Sequence, residues 1–223
     1  MLKSESGNVC LTAVPARVLP RFGPKTWTET GGTGGSATKN AKNVDGGARG
    51  QGSATGRAMV DMEIIGIFAG SYRVMRILFV CHGNICRSPM AEFIMKALVK
   101  ARGLEWMYEI ESAAVSDEET GNPIYPPAKR CLSQHGVWFD TAKRARKVVP
   151  ADYDRFDRII CMDGSNLRLI RRIIPADPEG KIHLLMSYTG VGRDVADPWY
   201  TGDFETTFQD ILEGCEAMLA LGR

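Results

Sequence analysis

Ile77-Leu78-Phe79-Val80-Cys81-His82-Gly83-Asn84-Ile85-Cys86-Arg87-Ser88-Pro89 is the stretch on which the fold turns. The apolar run at its start reads as a buried strand. Beyond Pro89, Met90, Phe93, Ile94, Ala97, Leu98 and Ala101 recur at helical spacing, with Gly103 as a stop. Ser88 reads as the N-cap and Pro89 as the first helical residue, where a missing N–H does no harm. A short loop therefore joins strand to helix, with a cysteine at one end and an arginine at the other.

A Cys-x5-Arg loop of this size can curl around one tetrahedral oxyanion. Its backbone N–H groups form an anion nest, and the positive end of the following helix points at it. Arg87 is a permanent cation that can grip two phosphate oxygens together. These features favour the Cys81 thiolate, the form that attacks, and the charge that builds up in the transition state. Gly83 allows a positive φ or a close approach, and Asn84 tolerates the left-handed region and can tie the loop with its amide. The Ser88 hydroxyl, beside the arginine, is placed to donate to the Cys81 sulfur. The arrangement suits attack on the phosphorus of a phosphate monoester. A zinc site is the competing use of Cys81 and Cys86, but Cys131, Cys161 and Cys215 are scattered singly and supply no second half with zinc spacing.

Working outward, strands alternate with helices. Tyr108–Ala114, Arg158–Met162 and Lys181–Met186 read as strands; Ala128–His135 and Leu167–Ile174 read as helices. Phe204, Phe208, Ile211, Leu212, Cys215, Met218 and Leu219 mark a C-terminal amphipathic helix. This order predicts an α/β domain: a four-stranded parallel sheet flanked by helices on both faces, flavodoxin- or Rossmann-like. Phosphate sites in such sheets lie at the C-terminal ends of strands, where Cys81 falls.

Cys81-His82-Gly83-Asn84-Ile85-Cys86-Arg87-Ser88-Pro89-Met90-Ala91-Glu92 resembles the phosphate loop of the low-molecular-weight protein tyrosine phosphatases, and the resemblance runs from about Met75 to the C-terminus. Asp197-Pro198-Trp199-Tyr200 resembles the same family's general-acid motif, Glu111-Ser112-Ala113-Ala114 its second-strand motif, and Cys161-Met162-Asp163 with Asn166 its third-strand end. The resemblance implies metal-independent and cofactor-free hydrolysis of phosphotyrosine through a phosphocysteine on Cys81. Arg87 would bind phosphate and Asp197 would act as general acid and base. His82, Gly83, Asn84, Ile85, Cys86 and Ser88 would surround the phosphate, with Trp199 and Tyr200 lining the tyrosine slot. Chemistry supports a proton donor at Asp197, because a phenolate leaves better when protonated. Pro198 restricts Asp197 to extended conformations, although Asp-Pro also opens ordinary turns. Through the resemblance, Cys86 has two readings: resolving thiol of a reversible disulfide with Cys81, or packing residue.

Three positions depart from the pattern. His82 stands where an uncharged residue is common, either tuning substrate charge or facing solvent. Lys143 stands where many members carry a histidine that braces the loop asparagine; it has donors only and could reach the Asn84 carbonyl oxygen. The wall aromatic after Ser-Ala-Ala is missing; Glu118 and Glu119 lie near its place, and Tyr125 is its candidate substitute. Three other functions compete. An arsenate reductase of this fold needs two relay cysteines after the third strand, and only Cys161 is near. A protein arginine phosphatase is expected to carry a smaller, polar residue at Ile85. A silent phosphate-binding module would not need Cys81, Arg87 and Asp197 together.

The first 74 residues differ in character. They hold nine Lys/Arg against five Asp/Glu, leaving 19 against 21 in the remainder, so the chain's net charge of +2 comes from this segment. Gly31-Gly32-Thr33-Gly34-Gly35-Ser36 and the stretch Asp45 to Gly56 offer few apolar anchors, and residues 1–74 are expected to be a disordered extension of the 75–223 phosphatase domain. Its charge is too sparse for a nucleic-acid or membrane patch, and no run reaches the ~20 apolar residues of a membrane span. A secretory signal pattern is absent from the start. A weak transit peptide and a gene-model extension ahead of a start at Met75 are the two readings of the segment. Six dispersed cysteines and a thiolate nucleophile fit a reducing cytoplasm.

Overall fold

The computed structural model describes residues 73–221. The expectations of disorder and of a start at Met75 concern a segment almost wholly outside those residues. Ten elements follow in order: β1 (Met75–Cys81), α1 (Arg87–Ala101), β2 (Tyr108–Ala114), α2 (Pro126–Gln134), α3 (Asp152–Arg155), β3 (Arg158–Cys161), α4 (Gly164–Ile173), β4 (Ile182–Leu184), α5 (Pro198–Thr201) and α6 (Phe204–Leu221).

The sheet has four strands in the order β2-β1-β3-β4, and every pairing is parallel. Strand β1 lies inside it, which explains its unbroken apolar run: both of its faces are covered. Ile77, Phe79 and Cys81 face a core built with α1, α2 and α6, including Phe93, Leu132, Phe208 and Ile211. Leu78 and Val80 face the other core, with Phe156 and Ile170 beside α3 and α4. The expected two-sided parallel sheet is the one observed. Among the described residues, no helix is long and apolar enough to cross a membrane.

The chain leaves β1 toward β2 on one side and returns to β3 on the other. A crevice opens where these connections diverge, at the C-terminal ends of β1 and β3. Val80 pairs with Cys161 there, so Cys81 and the Met162–Asp163 turn meet at one edge. Helix α6 closes the first face. Gly214 is what lets it approach the 3₁₀ segment Leu185–Thr189: a Cβ at that position would sit 2.5 Å from Leu185 Cγ.

Boundaries differ from expectation where side-chain chemistry changes. The fourth strand is only Ile182–Leu184 and passes directly into the 3₁₀ segment. The third strand stops at Cys161, one residue early, because Met162 turns to donate to Val80 O and accept from Val195. Helix α1 begins at Arg87, not after Ser88. Ser88 is therefore not the cap; its hydroxyl is engaged with the loop.

Candidate active site

The loop from Cys81 to Arg87 is held from beneath. Asn84 is the only described non-glycine residue with positive φ, at 57°. The positive φ therefore belongs to Asn84, whereas Gly83 serves close approach: a Cβ on it would lie 2.9 Å from Glu119 Cγ. The turn directs the Asn84 backbone N–H to Cys81 Sγ, at 3.3 Å. The Asn84 amide donates to Ser88 Oγ at 2.9 Å and to Ser112 Oγ at 2.8 Å, while its carbonyl oxygen accepts from Arg146 N at 3.2 Å. Asn84 and Ser88 lie behind the loop, both buried.

Ser88 Oγ lies 3.1 Å from Cys81 Sγ and 3.3 Å from Ala113 O. It already accepts from Asn84, so its single hydrogen has two claimants. A thiolate, being charged, outcompetes the neutral carbonyl. The hydroxyl is thus placed to donate to the Cys81 sulfur.

Arg87 is 3% exposed and held at both ends of its fork. Nη1 donates to Asp163 Oδ2 at 2.6 Å, and Nη2 to Asp197 Oδ2 at 2.5 Å. Burial opposes its charge, but the neighbouring Cys81, Asp197 and Asp163 outweigh burial and raise its pKa. Asp163 follows β3 and caps α4, accepting from Asn166 N at 2.6 Å. Asp197 caps α5, accepting from Trp199 N at 3.1 Å, with Pro198 in the first turn. The segment before it is tied to α6: Thr207 Oγ1 donates to Ala196 O at 3.0 Å, and Ala196 N to Asp210 Oδ2 at 2.9 Å.

Cys81, His82, Gly83, Ile85, Cys86, Arg87, Asp197, Trp199 and Tyr200 line one cleft of about 190 Å³, with Glu118 and Glu119 at its edge. Nine of the residues singled out in the sequence therefore line one cleft, while Asn84 and Ser88 are buried behind it. His82 is half exposed and pairs with Glu118 at 3.2 Å. Tyr125 does not stand in the cleft wall; it packs behind Trp199, ring centroids 5.6 Å apart, and lines the neighbouring cleft. The Cys86 thiol is pushed up to about 12 by burial, then by Cys81 and Asp197.

Lys143 does not reach Asn84. Its ammonium pairs with Glu92 at 2.8 Å and donates to Ser112 O at 3.3 Å. Glu92 in turn accepts from Ser112 Oγ at 2.6 Å. Burial would raise the Glu92 carboxyl, but Lys143 and Lys96 hold it below its ordinary value. The support thus runs Lys143–Glu92–Ser112–Asn84, with two residues between the cation and the amide. Lys143→Ala leaves a buried carboxylate with one cation fewer. It is expected to cost about 2–3 kcal/mol, read as a lower urea midpoint with an unchanged m-value. A midpoint equal to wild type would show the pair to be idle.

Asp163, Glu92 and Arg146 were not picked out as site residues from the sequence. The usable signal for Asp163 was its place just after a buried strand, on the edge where Cys81 ends.

The family model described as low molecular weight phosphotyrosine protein phosphatase matches residues 76–221. The chain is 40% identical over 149 residues to the low molecular weight protein-tyrosine-phosphatase YfkJ of Bacillus subtilis, covering 66% of this chain and 95% of that one. The crystal structure of YfkJ superposes with a TM-score of 0.63, covering 66% and 94% of the two chains. The low molecular weight phosphotyrosine protein phosphatase of Gallus gallus is 40% identical, covering 66% and 94%. A structure of a drosophila arginine phosphatase is 34% identical, with a TM-score of 0.60 and coverage of 66% and 97%. With this match along the whole described domain, the chain belongs to the low molecular weight phosphotyrosine protein phosphatases, a family of protein-tyrosine-phosphatases.

Proposed function

We propose that this protein hydrolyses phosphotyrosine on proteins through a phosphocysteine intermediate. The observation that carries the reading is the meeting of Cys81, Arg87 and Asp197 in one cleft over a loop whose amide already donates to the sulfur. Arg87 is shared by two carboxylates. An arriving phosphate dianion takes Nη2 from Asp197, while Asp163 keeps Nη1 and holds the fork in place. Asp197 is thereby released to turn toward the leaving oxygen.

In the first step the Cys81 thiolate attacks phosphorus in line. The S–P bond forms, the P–O bond to tyrosine breaks, and Asp197 protonates the departing oxygen. In the second step Asp197, now a carboxylate, takes a proton from water. The water oxygen attacks phosphorus, the S–P bond breaks, and the thiolate returns to the Ser88 hydroxyl and Asn84 N–H. Arg87 and the loop amides stabilise the equatorial oxygens throughout. The positive charge needed for this chemistry is thus provided by the chain itself.

The phosphatase domain is proposed to span residues 75–223, with residues 1–74 outside it; the family match over 76–221 supports that division. A thiolate nucleophile and five free cysteines among the described residues support a reducing location, the cytoplasm.

The likeness to an arginine phosphatase makes phosphoarginine the second substrate to test. Ile85 reaches the same cleft as Cys81. A branched apolar side chain there crowds a planar guanidinium and suits an aromatic ring. Matched phosphotyrosine and phosphoarginine peptides are expected to differ in kcat/KM by at least about tenfold in favour of tyrosine, on the order of one lost methylene-sized fit. Faster turnover of phosphoarginine would overturn the substrate while leaving the cysteine chemistry intact. Arsenate reduction lacks support, because Cys161 is fully buried and burial pushes its thiol up to about 12.

A further inference from the structure

Away from the phosphate cleft, the end of α2 meets the start of α6. Cys131 in the last turn of α2 and His135, which caps that helix, are four apart, which brings them to the same side of its C-terminal end. Glu205 lies in the first turn of α6. One ligand atom from each of these three side chains lies within 4.8 Å of the other two. The sequence alone hid this group, because its third member comes from 70 residues further along the chain.

The three side chains are already partly ordered. The His135 ring stacks on Phe208, with centroids 3.8 Å apart and planes 10° from parallel. Its Nε2 lies 2.8 Å from Glu205 Oε2. Cys131 is buried, and its thiol donates to Phe204 O at 3.4 Å. A cleft of about 460 Å³ opens beside the group, lined by Cys131, Gln134, Glu205 and Trp199 among others. It leaves room for an ion to enter and for a water to complete its coordination.

We propose that Cys131, His135 and Glu205 form a three-ligand site for a zinc-like divalent cation, with the fourth position open to this cleft. The donor set decides the class of ion. One sulfur, one imidazole nitrogen and one carboxylate oxygen suit borderline-soft zinc or cobalt, whereas calcium and magnesium require oxygen ligands. Zinc bonds of about 2.0–2.3 Å put tetrahedral ligand atoms roughly 3.3–3.8 Å apart. The ligand atoms already lie within 4.8 Å of one another, and Glu205, which is exposed, is free to adjust toward that spacing. On binding, the Cys131 S–H bond breaks, the electron pair goes to the metal and the proton goes to solvent. The ion would clamp Phe204–Glu205 to α2 directly behind Trp199, whose ring lines both clefts.

The test uses the full chain carrying Cys81→Ser, so that the proposed nucleophile cannot compete for metal. Zinc is titrated against a chromogenic chelator under a phosphine reductant, and cobalt is titrated in parallel by absorption. One equivalent of zinc is expected to bind, and cobalt to show a sulfur-to-metal charge-transfer band with the visible bands of a tetrahedral site. His135→Gln and Glu205→Gln should each weaken zinc at least about tenfold, and Cys131→Ser should abolish the charge-transfer band. Glu205→Gln alters only an exposed side chain, so that variant keeps the test valid if changes at Cys131 disturb folding. Absence of chelator-competitive zinc binding, or affinity unchanged in both His135→Gln and Glu205→Gln, overturns the proposal. In that case the group is an ordinary His135–Glu205 ion pair beside an idle thiol.

Discussion

Cys81→Ser is expected to lower phosphotyrosine turnover by at least about 10⁴-fold, the scale of losing a covalent nucleophile. The substitution exchanges one atom and leaves the loop its hydrogen bonds from Asn84 N–H and to Ser88. It removes the attacking group because a serine hydroxyl needs a general base, and none touches this position. The Cys81 sulfur is contacted by a backbone N–H and a hydroxyl, while His82 turns to Glu118. Binding should survive. Inorganic phosphate should raise the melting temperature of the variant about as much as that of wild type, since Arg87 and the loop amides remain. Initial rates on a phosphotyrosine peptide, with phosphate-dependent melting as the control, make the comparison. Turnover that persists in the serine variant would mean the loop holds an oxyanion for another purpose, and arsenate reduction would be assayed next.

Asp197→Ala is the second large effect, about 10²–10³-fold in kcat, as for removal of a general acid. Its sign in binding distinguishes it from a simple lesion. Asp197 holds Nη2 of Arg87, so removing it frees a donor for phosphate. KM should therefore stay level or fall. The loss should also depend on the leaving group: large for phosphotyrosine, smaller for para-nitrophenyl phosphate, whose more acidic phenol leaves without help. Because Asp197 also caps α5, the alanine variant forfeits about 1 kcal/mol of local stability. Asp197→Asn keeps the acceptor and separates the two roles. An equal loss on both substrates, or recovery in the asparagine variant, would assign Asp197 to structure and leave the proton donor elsewhere.

Much of the site was legible because it is local. Loop length, the Gly-Asn turn and the adjacent helix start lie within a dozen residues, where backbone geometry follows from residue type. Asp197 was legible as a dipeptide motif. The expected cap at Ser88 was misplaced because a hydroxyl at a helix start has several possible partners, and the nearby sulfur and the Asn84 amide took it. Lys143 could have reached Asn84 or left the loop to be held differently; the second holds, because its ammonium pairs with the buried carboxylate of Glu92.

The sequence by itself determined the alternation of strands and helices, the burial of β1 on both faces and the place of the Cys81–Arg87 loop between strand and helix. Periodicity and short-range turn geometry are properties of neighbours along the chain. Tertiary structure alone decided that Asp163 and Asp197 share Arg87, that Arg146 N satisfies Asn84, and that Cys131, His135 and Glu205 converge. Those contacts join residues 62 to 110 positions apart in the first two cases and 70 in the last. The register of β1 against β3, the pairing of Lys147 with Ala114 beside β2 and the docking of α6 bring them together.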